Sequence, residues 1–476
     1  MFNLDIDINR YFYEISQIPR GSGHEEKISE YLEAFAKSHS LKYVRDHTNN
    51  IIIYKDASKG YESHDSIILQ GHMDMVWEKG FDSNHDFYND PLELIESDGM
   101  LYANNTTLGA DDGVGVCYML AILSNDALKH PALECVFTVG EETGFDGAFA
   151  LDYSLLHSKR FIGLDCEGEY EVYISSAGGC STDLHIPYKT EENKDTCYEL
   201  TINSLLGGHS GAMIHKGRGN AIKLLNRMMY ALLHKGIDCR LIEYTGGNKS
   251  NAIPSYATCI FASNATYDDI DEVLTESYND ILDEYHISEP SMQVALSQHK
   301  FINICFDATS TERVIRCIYS TINGTLMMSQ QIEDLPTKSL NLGVLENNDL
   351  EVILHFSLRG VLEASIRDMN DQLLSIAEIY GGYIESSSFY PGWDYDPDSE
   401  MRNKYEAFYY QKTGMHLKEV ATHGGLEIGL FKQKIENLDV VAMGPQMYDI
   451  HTYNEHLDLA SYDRMYHILI EFLETL

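Results

Sequence analysis

Four short apolar runs in the first 180 residues constrain the fold more than any other feature: NIIIYK, SIILQGHMDMV, LECVFTVGEE and FIGLDCE. Each is bounded by polar or turn-forming residues, the pattern of a strand buried on both faces. Between the second and third lies GVGVCYMLAILSND, which is apolar with a helical period. Upstream, Ser22 followed by Glu25 in SGHEEKISEYLEAFA reads as a capping box opening an amphipathic helix. Strands and helices interleaved in this way predict an α/β sheet with covered faces.

From about Tyr198 the rhythm changes. ELTINSLL, a helix through AIKLLNRMMYALLHK, the strands DCRLIEYTGG and SYATCIFAS, a helix through DIDEVLTESYNDILDEY and the strand SMQVALSQ form one β-α-β-β-α-β set. FINICFD, a helix through ERVIRCIYSTI, the strands SLNLGVLE and LEVILHFSL, a helix through ASIRDMNDQLLSIAEI and the strand YIESSSFY repeat that order. Two successive ferredoxin-like layers are expected. In the tail, LDVVAMGP is a strand ending in a turn, and so short a segment is expected to complete the first sheet. The expected division is therefore residues 1–185 and 389–476 as a split α/β domain, with 186–388 inserted as an α+β segment.

A length of 476 residues agrees with more than one core. The 74 Asp and Glu against 34 Lys and Arg give a net charge of −40, which argues against nucleic acid and anionic membrane as main partners. With 44% hydrophobic residues the chain is nonetheless ordinary globular material. The first residues, MFNLDIDINRYFYEI, are acidic and lack the apolar core of a targeting signal. Nine scattered cysteines with no CxxC pair argue against a disulfide framework or a zinc ribbon. A cytoplasmic location is expected.

Five segments place His, Asp or Glu just after a predicted strand or at a helix start, where open α/β sheets gather ligands. In LQGHMDMV, His72 and Asp74 stand two apart and share one side of a continuing strand. Such a pair suits a metal ligand with a carboxylate on its other ring nitrogen, or simply a polar strand end. In TLGADDGVG, Asp111 and Asp112 stand at a helix mouth, as caps or as cation ligands. Glu141 and Glu142, adjacent in VGEETG, repel each other unless solvated or sharing a cation or proton. Asp165 in FIGLDCEG and His451 in MYDIHTYNEH follow two further strands. Recurrence at equivalent places in one sheet is the signal. Other motifs fail: Asp394, Asp396 and Asp398 begin like a calcium loop, but Ser399 and Tyr405 replace its Gly and Glu. There is no GxxxxGK[ST] loop, and GGHSG is not a nucleophile elbow.

In their order, GHMDMV, TTLGADDGVG, GEETGFDGA, LDCEG and IHTYNEH resemble the cocatalytic zinc peptidases, the family of carboxypeptidase G, aminoacylases and dipeptidases. KGRGNAIKLL, GGHSGAMIH, SNAIP and THGGLEIGLF are similar to its aminoacyl-histidine dipeptidase branch. The resemblance implies a mixed-sheet zinc-exopeptidase domain with an inserted lid and two divalent ions, Zn²⁺ foremost with Co²⁺ or Mn²⁺ as alternatives. It implies that His72 and Asp165 hold one ion, Glu142 and His451 the other, and Asp111 bridges them. Asp74 would orient His72, and Glu141 would be the general base that deprotonates the attacking water. A cis peptide is implied after Asp111. His209, Asn251, Arg359 and His423 would bind substrate, with Glu427 near them.

The chain departs from the family pattern in carrying GADD for GADN, and DIHTYNEH for a Pro-His-Ser motif. The expected activity is hydrolysis of short peptides with free termini, Xaa-His dipeptides among them. An aminoacylase- or carboxypeptidase-like action on N-blocked amino acids is the alternative. A binding protein on a dead peptidase fold would lack a ligand or base, and here each position is filled. The doubled inserted layer predicts an active site completed within one chain, with a homodimer possible.

Overall fold

The computed structural model describes residues 2–476, and it divides into two compact units. The first comprises Met1–Ser175, Tyr395–Val420 and Glu427–Leu476; the second comprises Ser176–Asp394 and Ala421–Leu426.

The first unit is built on a six-stranded mixed sheet. Its strands β1 (Lys42–Arg45), β2 (Ile51–Lys55), β3 (Ile67–His72), β4 (Leu133–Thr138) and β5 (Arg160–Gly163) lie in the order β1-β2-β4-β3-β5, and Asp439–Ala442 adds the sixth beside β5. Strand β3 runs parallel to both neighbours, Ile67 facing Leu133 and Ile68 facing Phe161. All six of its residues are buried, the polar Gln70 and His72 among them, as befits a central strand covered on both faces. Asp439–Ala442 runs parallel to β5, so the tail does complete the first sheet. The carboxyl ends of β3, β4 and β5 consequently point the same way. His72 ends β3, Glu141 and Glu142 follow β4, and Asp165 follows β5.

Helix α1 (Glu26–Ser38) is amphipathic, burying Ile28, Leu32, Phe35 and Ala36. It has no side-chain cap at its start. The expected capping box is absent because both of its members are engaged elsewhere, as described below. Helix α2 (Ala110–Ser124) packs against β3 and is buried through Leu123, hence its apolar residues on every face. Full burial of side chains such as Leu120 and Ile122 contributes about 1.5–3 kcal/mol each.

The second unit carries a nine-stranded antiparallel sheet containing β6 (Gly178–Pro187), β7 (Thr196–Asn203), β8 (Cys239–Gly246), β9 (Ala257–Ser263), β10 (Gln293–Gln298), β11 (Pro336–Asn347), β12 (Glu351–Gly360) and β13 (Tyr383–Tyr390). The path runs β10-β7-β9-β8-β11-β12-β6-β13, with Gly324–Met328 paired to β11 off that path. Its two halves each have the ferredoxin-like strand order. The second half differs from expectation in one strand. FINICFD contributes only Ile304–Phe306, paired with Thr190–Glu192 in a separate ribbon. Its place is taken by β6, hydrogen-bonded between β12 and β13. Strand β6 buries Leu184 and Ile186 on one face in the core, whereas Ile304 is half exposed. Because β6 belongs to this sheet, the second unit begins at Ser176 rather than at residue 186, and it extends to Asp394 rather than to 388. All nine cysteines are buried and free.

Candidate metal centre

The site is assembled from the loops that leave the parallel strands. His72 is 1% exposed, and its Nε2 lies 2.9 Å from Asp111 Oδ1. Its Nδ1 faces Asp74 Oδ1 at 3.4 Å. Asp74, completely buried, accepts hydrogen bonds from Ser22 Oγ (2.8 Å) and from the backbone N–H groups of Glu141 (3.1 Å) and Glu142 (3.3 Å). One carboxylate therefore faces the histidine ring and accepts from the turn that carries the paired glutamates.

Asp111 stands at the mouth of α2, where Asp111 and Asp112 leave the helical conformation and are joined by a cis peptide bond. Gly109 precedes them at φ +67°, and a Cβ there would lie 2.5 Å from Arg20 Nη2. Only glycine satisfies both the left-handed turn and that approach. Asp111 Oδ2 lies 3.0 Å from His451 Nε2, which is also 2.9 Å from Glu142 Oε1. His451 sits at φ +60° on the hairpin loop between Met447–Tyr448 and His456–Asp458.

Among the described residues, three groups of ligand atoms lie within 4.8 Å of one another: His72, Asp111 and Asp165; Asp111, Glu142 and His451; and His72, Glu141 and Glu142. The first two share Asp111, one oxygen of which faces each histidine. The electrostatics fit cations. Burial pushes Glu141 well above its ordinary carboxyl range, with Asp165, Glu142 and Glu427 adding to the effect and His72 opposing it. Asp165 is raised by burial and then by Asp111. Burial disfavours charge on His451, yet Asp111 and Glu142 raise it to about 11. Asp112, fully buried, is pushed up to about 8 by burial. So many acids cannot all ionise in one buried place without cations or protons beside them. Imidazole and carboxylate donors suit Zn²⁺, Co²⁺ or Mn²⁺ alike.

The signature of peptidase family M20/M25/M40 matches residues 68–475. The chain belongs to that family. The cytosol non-specific dipeptidase of Escherichia coli (strain K12) is 33% identical to this peptidase over 473 residues, covering 98% of this chain and 96% of that protein. Among solved structures, the aminoacylhistidine dipeptidase of Vibrio alginolyticus superposes with a TM-score of 0.89 at 32% identity, over 99% of this chain and 96% of that one. Aminopeptidase PepT of Bacillus cereus shares the fold at 16% identity, with a TM-score of 0.58 over 99% of this chain and 98% of that one. This peptidase is thus a peptide hydrolase.

The four residues expected at the substrate all lie in the second unit, where they are close neighbours. His209 pairs with Ala252 in a short ladder, and Ser210 N–H donates to Asn251 O at 2.8 Å. Gly211 lies between the His209 ring and the His423 carbonyl. Arg359 donates from Nη1 to that carbonyl (3.2 Å) and to Tyr390 Oη (3.3 Å). Arg359 is buried, its Nε without a partner. His423 is buried too, Nε2 lying 2.6 Å from Ser339 Oγ. Glu427 belongs instead to the first unit, where its Oε2 accepts from Gln70 (2.8 Å) and Thr138 (2.6 Å). Burial raises it to about 7.

Sequence reasoning missed four supporting residues. Ser22 serves Asp74. Glu25 accepts from Gly23 N (2.8 Å) and Gly140 N (3.1 Å), so it supports the glutamate turn rather than capping α1. Arg20 and Glu455 bracket the Asp111 turn. The only sequence hint was the acid in IHTYNEH, four residues beyond His451.

Proposed function

We propose that this peptidase is a two-metal dipeptidase acting on dipeptides with free termini, Xaa-His (carnosine-type) substrates among them. The observation that carries the reading is the pair of ligand groups sharing Asp111. His72, Asp165 and Asp111 would hold one ion, and Glu142, His451 and Asp111 the second, Zn²⁺ before Co²⁺ or Mn²⁺. Ions bound there would lower the pKa of bound water and offset negative charge developing on the substrate carbonyl oxygen.

Glu141 is the general base: it takes the proton of the attacking water and returns it to the leaving amine. Its burial among acids supports this role, since an ordinary glutamate is too weak a base near neutral pH. Asp74 holds the His72 ring and the Glu141–Glu142 turn in register. His209, Asn251, Arg359 and His423 bind substrate, a role supported by the sequence resemblance and by their clustering. We also propose that one chain supplies the complete active site, and that the enzyme is cytoplasmic. The location is supported by the cytosolic relative.

Dipeptides are favoured over N-blocked amino acids because the E. coli relative matching nearly the whole chain is named a dipeptidase. The test is a substrate panel on enzyme reconstituted with Zn²⁺, Co²⁺ or Mn²⁺. Carnosine-type and other free dipeptides should turn over. Turnover confined to N-acyl amino acids would overturn the dipeptidase reading.

A further inference from the structure

We propose that Glu455 and Arg20 form a positioning brace that sets the Asp111 carboxylate between its two histidines. The inference rests on the two-metal reading above. Glu455 is 2% exposed, and its carboxylate gathers four consecutive backbone N–H groups. Oε2 accepts from Leu108 (2.8 Å) and Gly109 (3.0 Å), and Oε1 accepts from Ala110 (2.7 Å) and Asp111 (3.4 Å). A carboxylate has about four lone-pair sites, and here all are used.

The turn they hold is irregular. Gly109 is left-handed and Asp111 is extended, so these N–H groups have no intrahelical partners. Without Glu455, four donors would be orphaned in a buried place.

Arg20 grips the same turn from its carbonyl side. Its guanidinium, 2% exposed, donates from Nη2 to Gly109 O and from Nη1 to Met73 O (3.1 Å) and Asp74 O (3.0 Å). Met73 and Asp74 directly follow His72, and Glu455 lies on the loop that carries His451. The brace therefore joins three ligand-bearing segments: the end of β3, the Asp111 turn and the His451 hairpin. These are the segments whose spacing decides whether one Asp111 oxygen can face each histidine.

The test uses Co²⁺ as the probe, because its visible spectrum reports ligand geometry directly. In Glu455→Gln the volume is kept, but one acceptor oxygen remains and an NH₂ group faces backbone donors. This variant should hold at least one Co²⁺ about 10- to 100-fold more weakly, as expected when a residue supporting a ligand is lost. Its visible bands should change intensity, and kcat should fall with KM nearly unchanged. Glu134→Gln is the control. Glu134 is another buried carboxylate accepting backbone N–H bonds, from His157 and Ser158 at the opposite end of β4. It should lower the melting temperature while leaving the Co²⁺ spectrum intact. Should Glu455→Gln not fold, Arg20→Lys, which replaces the two-armed fork reaching Gly109 O and the Met73–Asp74 carbonyls with one ammonium, should give the same spectral change. Wild-type affinity and spectrum in a Glu455→Gln protein that merely melts earlier would overturn the brace alone. A wild-type chain that takes up no Co²⁺ would sink the two-metal reading and the brace with it.

Discussion

His423 makes the stability of the second unit depend on pH in a way that can be calculated. Burial first, then the positive charges of Arg359 and His215, push its imidazole from 6.5 down to about 3. In the unfolded chain it takes a proton as the pH falls through 6.5, whereas in the folded unit it stays neutral until about pH 3. The unfolded state therefore binds more protons across that window. Stability is fully present above pH 6.5 and is lost progressively on acidification. At about 1.36 kcal/mol per pH unit, the loss is about 2 kcal/mol by pH 5 and approaches about 5 kcal/mol near pH 3.

Replacing the ring by an amide removes the titration while retaining a partner for Ser339. His423→Gln should be less stable than wild type at pH 7.5 by about 1 kcal/mol. Its further loss between pH 7.5 and pH 5 should be smaller than the wild-type loss by about 2 kcal/mol. Carboxylates elsewhere titrate alike in both proteins and cancel in that difference. The chain has two tryptophans, and Trp393 is buried within the second unit. Urea unfolding followed by Trp393 fluorescence in a Trp77→Phe background therefore reads the relevant unit. If the two proteins lose stability equally over this range, His423 does not remain neutral in the fold, and the burial argument is wrong.

Three shorter predictions concern the metal centre. Glu141→Gln should lower kcat by about 10²- to 10⁴-fold while metal uptake stays at the wild-type level; loss of a metal equivalent would make Glu141 a ligand instead. Asp112→Asn should keep kcat/KM within about tenfold of wild type. Burial already favours the neutral acid, and an amide oxygen can still accept the Gly115 N–H that Asp112 Oδ1 accepts at 3.1 Å; a larger drop would show that the second aspartate works as an ion. Removing metal with a chelator should abolish hydrolysis, and adding back Zn²⁺, Co²⁺ or Mn²⁺ should restore it; hydrolysis that persists in verified metal-free protein would refute the proposed chemistry.

The residues that meet at the centre were legible because each lies next to a local signal. A short apolar run ending within a few residues of His72, of Glu141 and Glu142, or of Asp165 marks a strand end, and parallel strands bring such ends together. Pairing partners are different, since periodicity says that a segment is extended and not what it lies beside. FINICFD looks more like a sheet strand than GGCSTDLHIPYK, yet the latter holds Thr182, Leu184 and Ile186 in the core of the second sheet. Its polar residues were decisive in hiding it. Thr182 is satisfied by Asn370 (2.5 Å) and Ser386 (3.1 Å), which lie 188 and 204 positions away.

The same limit explains Ser22 and Glu25, and it says something about how the centre is built. Ser-x-x-Glu before an apolar helix satisfies a local rule, but Asp74 offers the serine a buried anionic acceptor, and Gly140 offers the glutamate an orphan donor. A charge-assisted bond in a buried site outweighs a cap exposed at a helix start, so tertiary demand displaces the local pattern. Asp74 and Glu455 then do comparable work on different turns. Each is a buried carboxylate whose oxygens are taken up by backbone N–H groups of the segment carrying a neighbouring ligand. Asp74 and Glu455 are held in place by backbone donors, whereas Asp165 and Glu142 lie among the histidines and are raised by burial and neighbouring charge. That division lets one buried region concentrate carboxylates: one set fixes the frame, and the other is neutralised by cations or protons.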